Sequence, residues 1–213
     1  MKKVLVLGDT SYSSLFKNKG FELVDNINGV DLIVFTGGTD LDPHYYGEKR
    51  GFQTSIPDVR RDQREFDIFN QAVMNDIPMV GICRGSQALC AWSGGKLVQH
   101  VENHCQYHNI LTEDGRELVV SSTHHQMMYP WDIEHKLLGY SIFRSGTYLN
   151  GDNEEIEFSE RGFDERGIME PEVVYFPETN ALSHQPHPEF MQKGSPYVDY
   201  FWETIEQYLG VKV

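Results

Sequence analysis

The sequence predicts an α/β domain on a mostly parallel sheet, and three observations predict it. Short apolar runs closing on glycine or small polar residues recur along the chain. Amphipathic helical stretches separate several of them. One run, Met79 to Ile82, passes across Cys83 straight into the small and helix-forming residues Ser86 to Leu89. Strand, helix and strand in succession is the pattern of crossovers onto a parallel sheet. At 213 residues, one domain with a full core is expected over 1–213.

In chain order, Val4 to Leu7 closes on Gly8-Asp9 and reads as the first strand. Gly20 to Val24 and Asp31 to Phe35 read as the second and third, the latter ending in Thr36-Gly37-Gly38-Thr39-Asp40. Two adjacent glycines would let backbone N–H groups approach a ligand, although on the dipeptide alone a plain tight turn is the simpler reading. Asp42 to Pro57, rich in Pro, Gly and Tyr, is a loop. The helix after it carries Asp62 and Glu65 at capping-box spacing, with Phe66, Phe69, Val73 and Met74 as its apolar face. Pro78 closes that crossover before the Met79 to Ile82 strand. Cys90, in the helix after Cys83, is expected to pack on the sheet, and Gly94-Gly95 stops that helix. Lys96 to Val101 is a short extended piece. His108 to Ser122 alternates around Glu113-Asp114-Gly115, a β-hairpin that delivers Ser122-Thr123-His124-His125-Gln126 at its end. Leu137 to Phe143 is a further strand. The acidic run from Asn150 to Glu172 is expected to be a solvated, mobile excursion. Val173 to Phe176 is a strand with which Ala181 to Gln185 pairs back. The last helix takes Ser195 as N-cap and Pro196 in its first turn, with Tyr197, Phe201, Ile205 and Tyr208 as its buried stripe.

The net charge is −14. So acidic a surface repels phosphate backbones and anionic lipid, so neither nucleic acid nor membrane is an expected partner. No apolar run approaches the roughly 20 residues of a membrane span, and Met1-Lys2-Lys3 leads into a strand rather than a signal segment. Three cysteines, few and odd in number, fit a reducing cytoplasm better than a disulfide framework.

Pro78-Met79-Val80-Gly81-Ile82-Cys83-Arg84-Gly85 is the stretch that organises the rest. Glycines two residues before and two after Cys83 have a steric reason. A residue on a tight strand-to-helix elbow sits in strained backbone, and side chains at plus and minus two would collide beneath it. The elbow puts the sulfur at the start of the following helix, whose dipole and free N–H groups favour thiolate over thiol. A structural cysteine in a plain crossover is the alternative reading.

A thiolate nucleophile needs a base, and the base needs an orienting group. His187 and Glu189, two residues apart in extended chain, would share one face, with Pro188 keeping the segment out of helix. His100, His104, Cys105, His108, His124 and His125 carry metal-ligating atoms, but no two pairs show zinc-finger spacing, so no metal is expected. His184 and His135 are expected in solvent or in polar niches.

Gly81-Ile82-Cys83-Arg84-Gly85-Ser86-Gln87, followed about a hundred residues later by Gln185-Pro186-His187-Pro188-Glu189, resembles class I glutamine amidotransferases. Within them the chain looks most like the γ-glutamyl-γ-aminobutyrate hydrolase, or peptidase C26, branch. Supporting pieces run in family order: Gly37-Gly38-Thr39-Asp40-Leu41-Asp42-Pro43, Tyr46-Gly47-Glu48, Arg61-Asp62 with Glu65, Gly94-Gly95-Lys96-Leu97, Gln99-His100, and Ser122 to Gln126. The resemblance implies a flavodoxin-like three-layer sandwich with the cysteine elbow at the C-terminal edge of the sheet, plus a small antiparallel β extension. It implies a Cys83–His187–Glu189 catalytic triad, an oxyanion hole from the N–H groups of Gly38 and Arg84, and a γ-glutamyl site involving Gln87, Thr123, His124 and His125. The implied reaction is cysteine-dependent hydrolysis of a γ-glutamyl amide through a thioester, with no cofactor.

Two departures bear on the substrate. Pro186 stands where the family usually has an aromatic before the triad histidine, and the acidic stretch at 150–172 replaces a compact hairpin. Three functions are therefore carried forward. The first is a free-standing γ-glutamyl hydrolase. The second is a glutaminase subunit delivering ammonia to a separate synthetase chain. The third is an inactive binding module on the same fold. A small γ-glutamyl molecule is the expected ligand, and a synthetase or a second copy of the chain is the candidate protein partner.

Overall fold

A computed structural model describes residues 1–141 and 145–212. Nine strands form one sheet. They are β1 (Lys3–Leu7), β2 (Glu22–Val24), β3 (Leu32–Phe35), β4 (Met79–Ile82), β5 (His108–Thr112), β6 (Glu117–Val120), β7 (Lys136–Ser141), β8 (Glu170–Phe176) and β9 (Ala181–His184), in the order β2-β1-β3-β4-β9-β8-β7-β5-β6. The strands from β2 to β9 are parallel, and from β9 to β6 each neighbour is antiparallel. The β extension is therefore continuous with the parallel strands. Residues 142 and 143 of the expected Leu137 to Phe143 strand lie outside the described residues.

Helices α1 (Ser13–Lys17), α2 (Val59–Met74), α3 (Arg84–Trp92) and α4 (Pro196–Leu209) cover the two faces. Successive strand residues point to opposite faces, and the parallel strands are apolar on both. Val4, Leu32, Val34, Val80 and Ile82 pack with Phe16 of α1 and with Tyr197 and Phe201 of α4. Leu5, Leu7, Ile33, Phe35 and Met79 pack with Phe69 of α2 and with Ala88 and Leu89 of α3. That alternation between two cores makes the sandwich three layers thick. Cys90 is fully buried in the second core, as expected.

Three local expectations need correcting. Asp62 and Glu65 do not form a capping box. Asp58 caps α2 by accepting from Arg61 N, while Asp62 and Glu65 are buried one turn in. The buried face of α2 is accordingly 62, 65, 69 and 72, and Val73 and Met74 are exposed. The cause is the buried cation these carboxylates hold, Arg84, which periodicity of apolar residues cannot register.

The acidic run is not a solvated excursion throughout. Glu170 and Glu172 are 0% and 1% exposed within β8. Ile156 and Phe158 pack against a third cluster around Val98, Met127 and Trp131. Finally, Ser195 makes no side-chain cap bond at α4, whose first turn carries Pro196 and Asp199, and Tyr208 is only half-buried.

Candidate active site

Strands β3, β4 and β9 are adjacent and parallel, so their carboxyl ends lie side by side. The Gly37-Gly38 turn, the Cys83 elbow and the Gln185–Glu189 segment follow these three ends directly. Open α/β sheets bind ligands at this edge.

Cys83 has φ 54° and ψ −111°, a conformation costly for a residue with a Cβ. The surrounding bonds hold it there. Its N–H donates to His184 O at 2.9 Å. Its carbonyl accepts from Ser86 N at 3.0 Å, Gln87 N at 3.2 Å and Ser86 Oγ at 2.6 Å. The steric reading of the flanking glycines also holds in detail. A Cβ on Gly81 would lie 2.4 Å from Gly85 O, and one on Gly85 would lie 2.1 Å from Phe35 O. Both obstacles are backbone, so neither can swing away. Gly85→Ala is therefore expected to lose on the order of 3 kcal/mol of stability by overpacking, measured as the midpoint of urea unfolding. A loss below about 1 kcal/mol would mean that α3 stands off β3 further than described.

His187 Nδ1 lies 2.6 Å from Glu189 Oε1, and Cys83 is close enough to the same imidazole to raise its pKa. The segment is not extended throughout, as had been expected. His187 is extended and Pro188 opens a single 3₁₀ turn to Phe190, which folds the carboxylate back onto the ring. Burial alone would push the imidazole pKa down. Hydrogen bonds and charge from Cys83 and Glu189 outweigh it and lift His187 to about 10. Ser121 clamps the backbone on both sides, its Oγ donating to His187 O at 2.7 Å and its carbonyl accepting from His187 N at 3.4 Å.

The Gly-Gly turn borders this pair. A Cβ on Gly37 would meet Tyr12 Oη at 2.4 Å and His187 Cε1 at 3.4 Å, and one on Gly38 would meet Arg61 Nη1 at 2.1 Å. Arg61 pulls the turn's carbonyls to the other side, donating to Gly37 O at 3.0 Å and Thr36 O at 3.1 Å. Arg84 opens α3, so its N–H is one of the four that a helix start leaves without an intrahelical acceptor. Its side chain runs the opposite way. It is 1% exposed and donates to Glu65 Oε2 at 2.6 Å and to Asp62 Oδ1.

The four expected substrate contacts separate. Thr123 is exposed and its Oγ1 lies 2.9 Å from His187 Nε2. His125 is half-buried with Nε2 3.1 Å from Asp40 Oδ2. That bond raises its pKa despite burial. Gln87 and His124 do not face the opening. Gln87 is 3% exposed and donates to Gln126 O at 3.1 Å and Gln185 Oε1 at 3.2 Å, bracing the two segments that follow β6 and β9. His124 is 4% exposed and directed into the interior. The resemblance implied one role for residues 123 to 125, but alternating side chains in extended chain take opposite sides.

Tyr12, Ser121 and Phe190 escaped the sequence reading. Tyr12 Oη lies 3.4 Å from His187 Nδ1, and burial with the nearby Glu189 charge pushes its pKa up. Phe190 stacks on the His187 ring with centroids 4.6 Å apart, which supplies from after the histidine an aromatic neighbour that Pro186 does not supply from before it. Only the histidine-proline-glutamate spacing could have flagged Phe190, and nothing in the sequence marks Tyr12. Glu48 and Gln99, noted as motif residues, meet. Gln99 Nε2 donates to Glu48 Oε2 at 2.9 Å and Lys49 O at 2.7 Å, and its Oε1 accepts from Gly51 N and Thr54 Oγ1. This fastens the Asp42 to Pro57 loop beside the site.

Residues 16–139, more than half the chain, match the Peptidase C26 model, and the chain belongs to that family. It is 40% identical over 70 residues to the glutamine amidotransferase-like protein YvdE of Lactococcus lactis, a match covering 33% of this chain and 30% of that one. It is 32% identical over 101 residues to a glutamine amidotransferase-like protein of Rickettsia prowazekii, covering 47% of this chain and 34% of that one. The matched stretch thus spans about a third of these relatives' length. Among solved structures, a glutamine amidotransferase from Thermotoga maritima aligns with TM-score 0.59 at 16% identity over 98% of this chain and 84% of that one. PurLQS from the same organism aligns with TM-score 0.58 at 15% identity over 98% and 99%. These likenesses establish the flavodoxin-like fold. No helix of the described residues is long and apolar enough to cross a membrane.

Proposed function

We propose that this chain hydrolyses a γ-glutamyl amide, either glutamine or a γ-glutamyl amine, through a γ-glutamyl thioester on Cys83. The observation that supports it most is the strained elbow cysteine paired with an imidazole that Glu189 grips at 2.6 Å. The Cys83 thiolate attacks the γ-carbonyl. The carbonyl electrons move onto oxygen, which the N–H groups of Gly38 and Arg84 receive. Loss of one such donor typically costs about 10²–10³ in rate. As the tetrahedral intermediate collapses, the C–N bond breaks and the His187 imidazolium protonates the departing ammonia or amine. His187, now neutral, takes a proton from water, whose oxygen attacks the thioester and releases glutamate and the thiolate. Thr123 Oγ1, at 2.9 Å from His187 Nε2, sits where the leaving group must approach and is displaced or reused as a contact to it.

The test is mass spectrometry after incubation with 6-diazo-5-oxo-norleucine, beside a panel of γ-glutamyl amines. One adduct on Cys83 and none on Cys83→Ala is expected. Full turnover by Cys83→Ala would sink the mechanism. Turnover of glutamine that appears only with an added synthetase chain would identify an ammonia-delivering subunit instead. The pH profile gives a further check. With its pKa raised to about 10, the imidazole holds its proton through neutral pH and loses it as pH climbs through about 10. The alkaline limb of kcat/KM should therefore fall toward pH 10, and Glu189→Gln should bring it down by about 1–3 units. An unmoved limb in that variant would show that Glu189 does not hold the proton on His187.

A further inference from the structure

Behind Thr123, away from the Cys83 sulfur, three imidazoles converge on one carboxylate oxygen. Glu172 Oε1, on β8, lies 2.9 Å from His108 Nε2, 3.6 Å from His104 Nδ1 and 3.9 Å from His124 Nε2. The four residues are between 1% and 6% exposed. The donor atoms of His104, His108 and Glu172 all lie within 4.8 Å of one another. A tetrahedral zinc ion with bonds of about 2.0–2.1 Å holds its donor atoms about 3.4 Å apart, and the three distances from Glu172 Oε1 straddle that length.

A hydrogen bond outside the cluster fixes the tautomer of His124, whereas His108 bonds inward, through Nε2 to Glu172 Oε1. His124 Nδ1 lies 2.8 Å from Gln126 O, and a carbonyl only accepts, so the proton is on Nδ1. His124 Nε2 then presents a lone pair inward, with no hydrogen-bond partner among the described residues. His104 Nε2 lies 3.2 Å from Glu170 Oε2. The other oxygen of Glu170 accepts from Ser145 N at 2.6 Å and Tyr148 Oη at 2.8 Å. With Nε2 engaged by Glu170, His104 turns Nδ1 toward Glu172 at 3.6 Å, without a hydrogen-bond partner among the described residues. Glu172 Oε2 is buried without a partner as well. His108 Nε2 is hydrogen-bonded to Glu172 Oε1 through a proton that a bound metal would displace, but the inward nitrogens of His104 and His124 and Glu172 Oε2 stay unpaired, and leaving such buried groups unpaired is costly. Glu170 behind His104 is an outer partner of the kind that orients histidine ligands at metal centres.

We propose that His104, His108 and Glu172 bind one zinc ion, beside which His124 Nε2 stands 3.9 Å from Glu172 Oε1. Two imidazole nitrogens with one carboxylate oxygen suit zinc better than magnesium or calcium, and it is a donor set that zinc takes in proteins. The ligands come from the 102–107 turn, β5 and β8. The ion would thus cross-link these segments and, through the bonds of His124 N and Ser122 Oγ to His104 O, steady the chain at Thr123. The expectation of no metal rested on linear spacing, which does not report that His104, His108 and Glu172 meet across the sheet.

The test uses the full chain without an affinity tag. Elemental analysis should find one zinc per chain. The chelator-stripped protein should take up one equivalent of zinc with a rise of several degrees in melting temperature. Cobalt(II) in its place should give the intense visible bands of a tetrahedral nitrogen-oxygen site. Glu172→Gln and His108→Ala should each lose the bound metal and the bands. If either variant does not fold, the cobalt spectrum of the unaltered chain decides. No uptake of zinc or cobalt by the stripped chain would overturn the proposal, leaving a protonated His104 shared between Glu170 and Glu172. So would full metal retention by both folded variants, which would place the ion elsewhere.

Discussion

Cys83→Gly is expected to abolish turnover and yet to be more stable than Cys83→Ala by about 1 kcal/mol. Both variants remove the sulfur, so both lose the nucleophile. They differ in backbone. At φ 54° and ψ −111° an alanine still carries the Cβ that makes this region unfavourable, at a cost of about 1–3 kcal/mol. Glycine relieves that strain and gives back roughly 0.5–1 kcal/mol through its larger loss of freedom on folding. For a chain of this size the difference corresponds to about 2–4 °C in melting temperature, readable by calorimetry. Equal stability of the two variants would mean that the elbow stores no strain, and that its geometry is held at no cost by the bonds from His184, Ser86 and Gln87. The comparison bears on function because strain fixed by neighbours is how a fold points a nucleophile outward before substrate arrives.

Replacing Arg84 by Met should be the most damaging single change outside the catalytic atoms. The side chain is 1% exposed and spans Glu65 and Asp62, themselves 0% and 1% exposed. Arg61 Nε donates to the other oxygen of Glu65 at 2.7 Å, so two guanidiniums balance two carboxylates. Without Arg84 the carboxylates face each other with half their compensation gone. Removing one partner of a buried pair costs about 3–5 kcal/mol, or on the order of 10 °C here. The unfolding midpoint in urea measures it. Arg84→Lys should recover only part, because an ammonium is a compact donor that cannot fork to both carboxylates. A loss under about 1 kcal/mol for Arg84→Met would show Asp62 and Glu65 to be protonated or hydrated rather than ion-paired. The same residue contributes its backbone N–H to the proposed oxyanion hole. A variant that folds yet turns over slowly would therefore show that the buried fork also sets the start of α3.

How far the sequence could be read follows from which interactions are local. The strands β1, β3 and β4, the hairpin β5–β6 and the elbow were legible because each is specified by neighbours in the chain. Apolar runs bury on two faces, a turn needs Gly115 at φ +84°, and the glycines at 81 and 85 leave no room for a Cβ. His187 and Glu189 were legible because two residues and a proline determine their mutual reach. Asp62 and Glu65 were misread as a cap, since capping-box spacing and buried-carboxylate spacing look alike on paper. Glu170 and Glu172 were misread as solvated, since charge in a run signals exposure unless partners from elsewhere neutralise it.

By itself, then, the amino-acid order determined the α/β class, the cysteine on its elbow and the imidazole–carboxylate pair, all products of short-range sterics and hydrophobic periodicity. Only the tertiary structure decided what each buried polar group answers to. It brought Arg84 to Asp62 and Glu65, turned Gln87 and His124 away from the opening, stacked Phe190 on His187, and gathered three histidines around Glu172. The physical reason is that burial of a charge is settled by its partner, and a partner tens of residues away leaves no mark on local pattern.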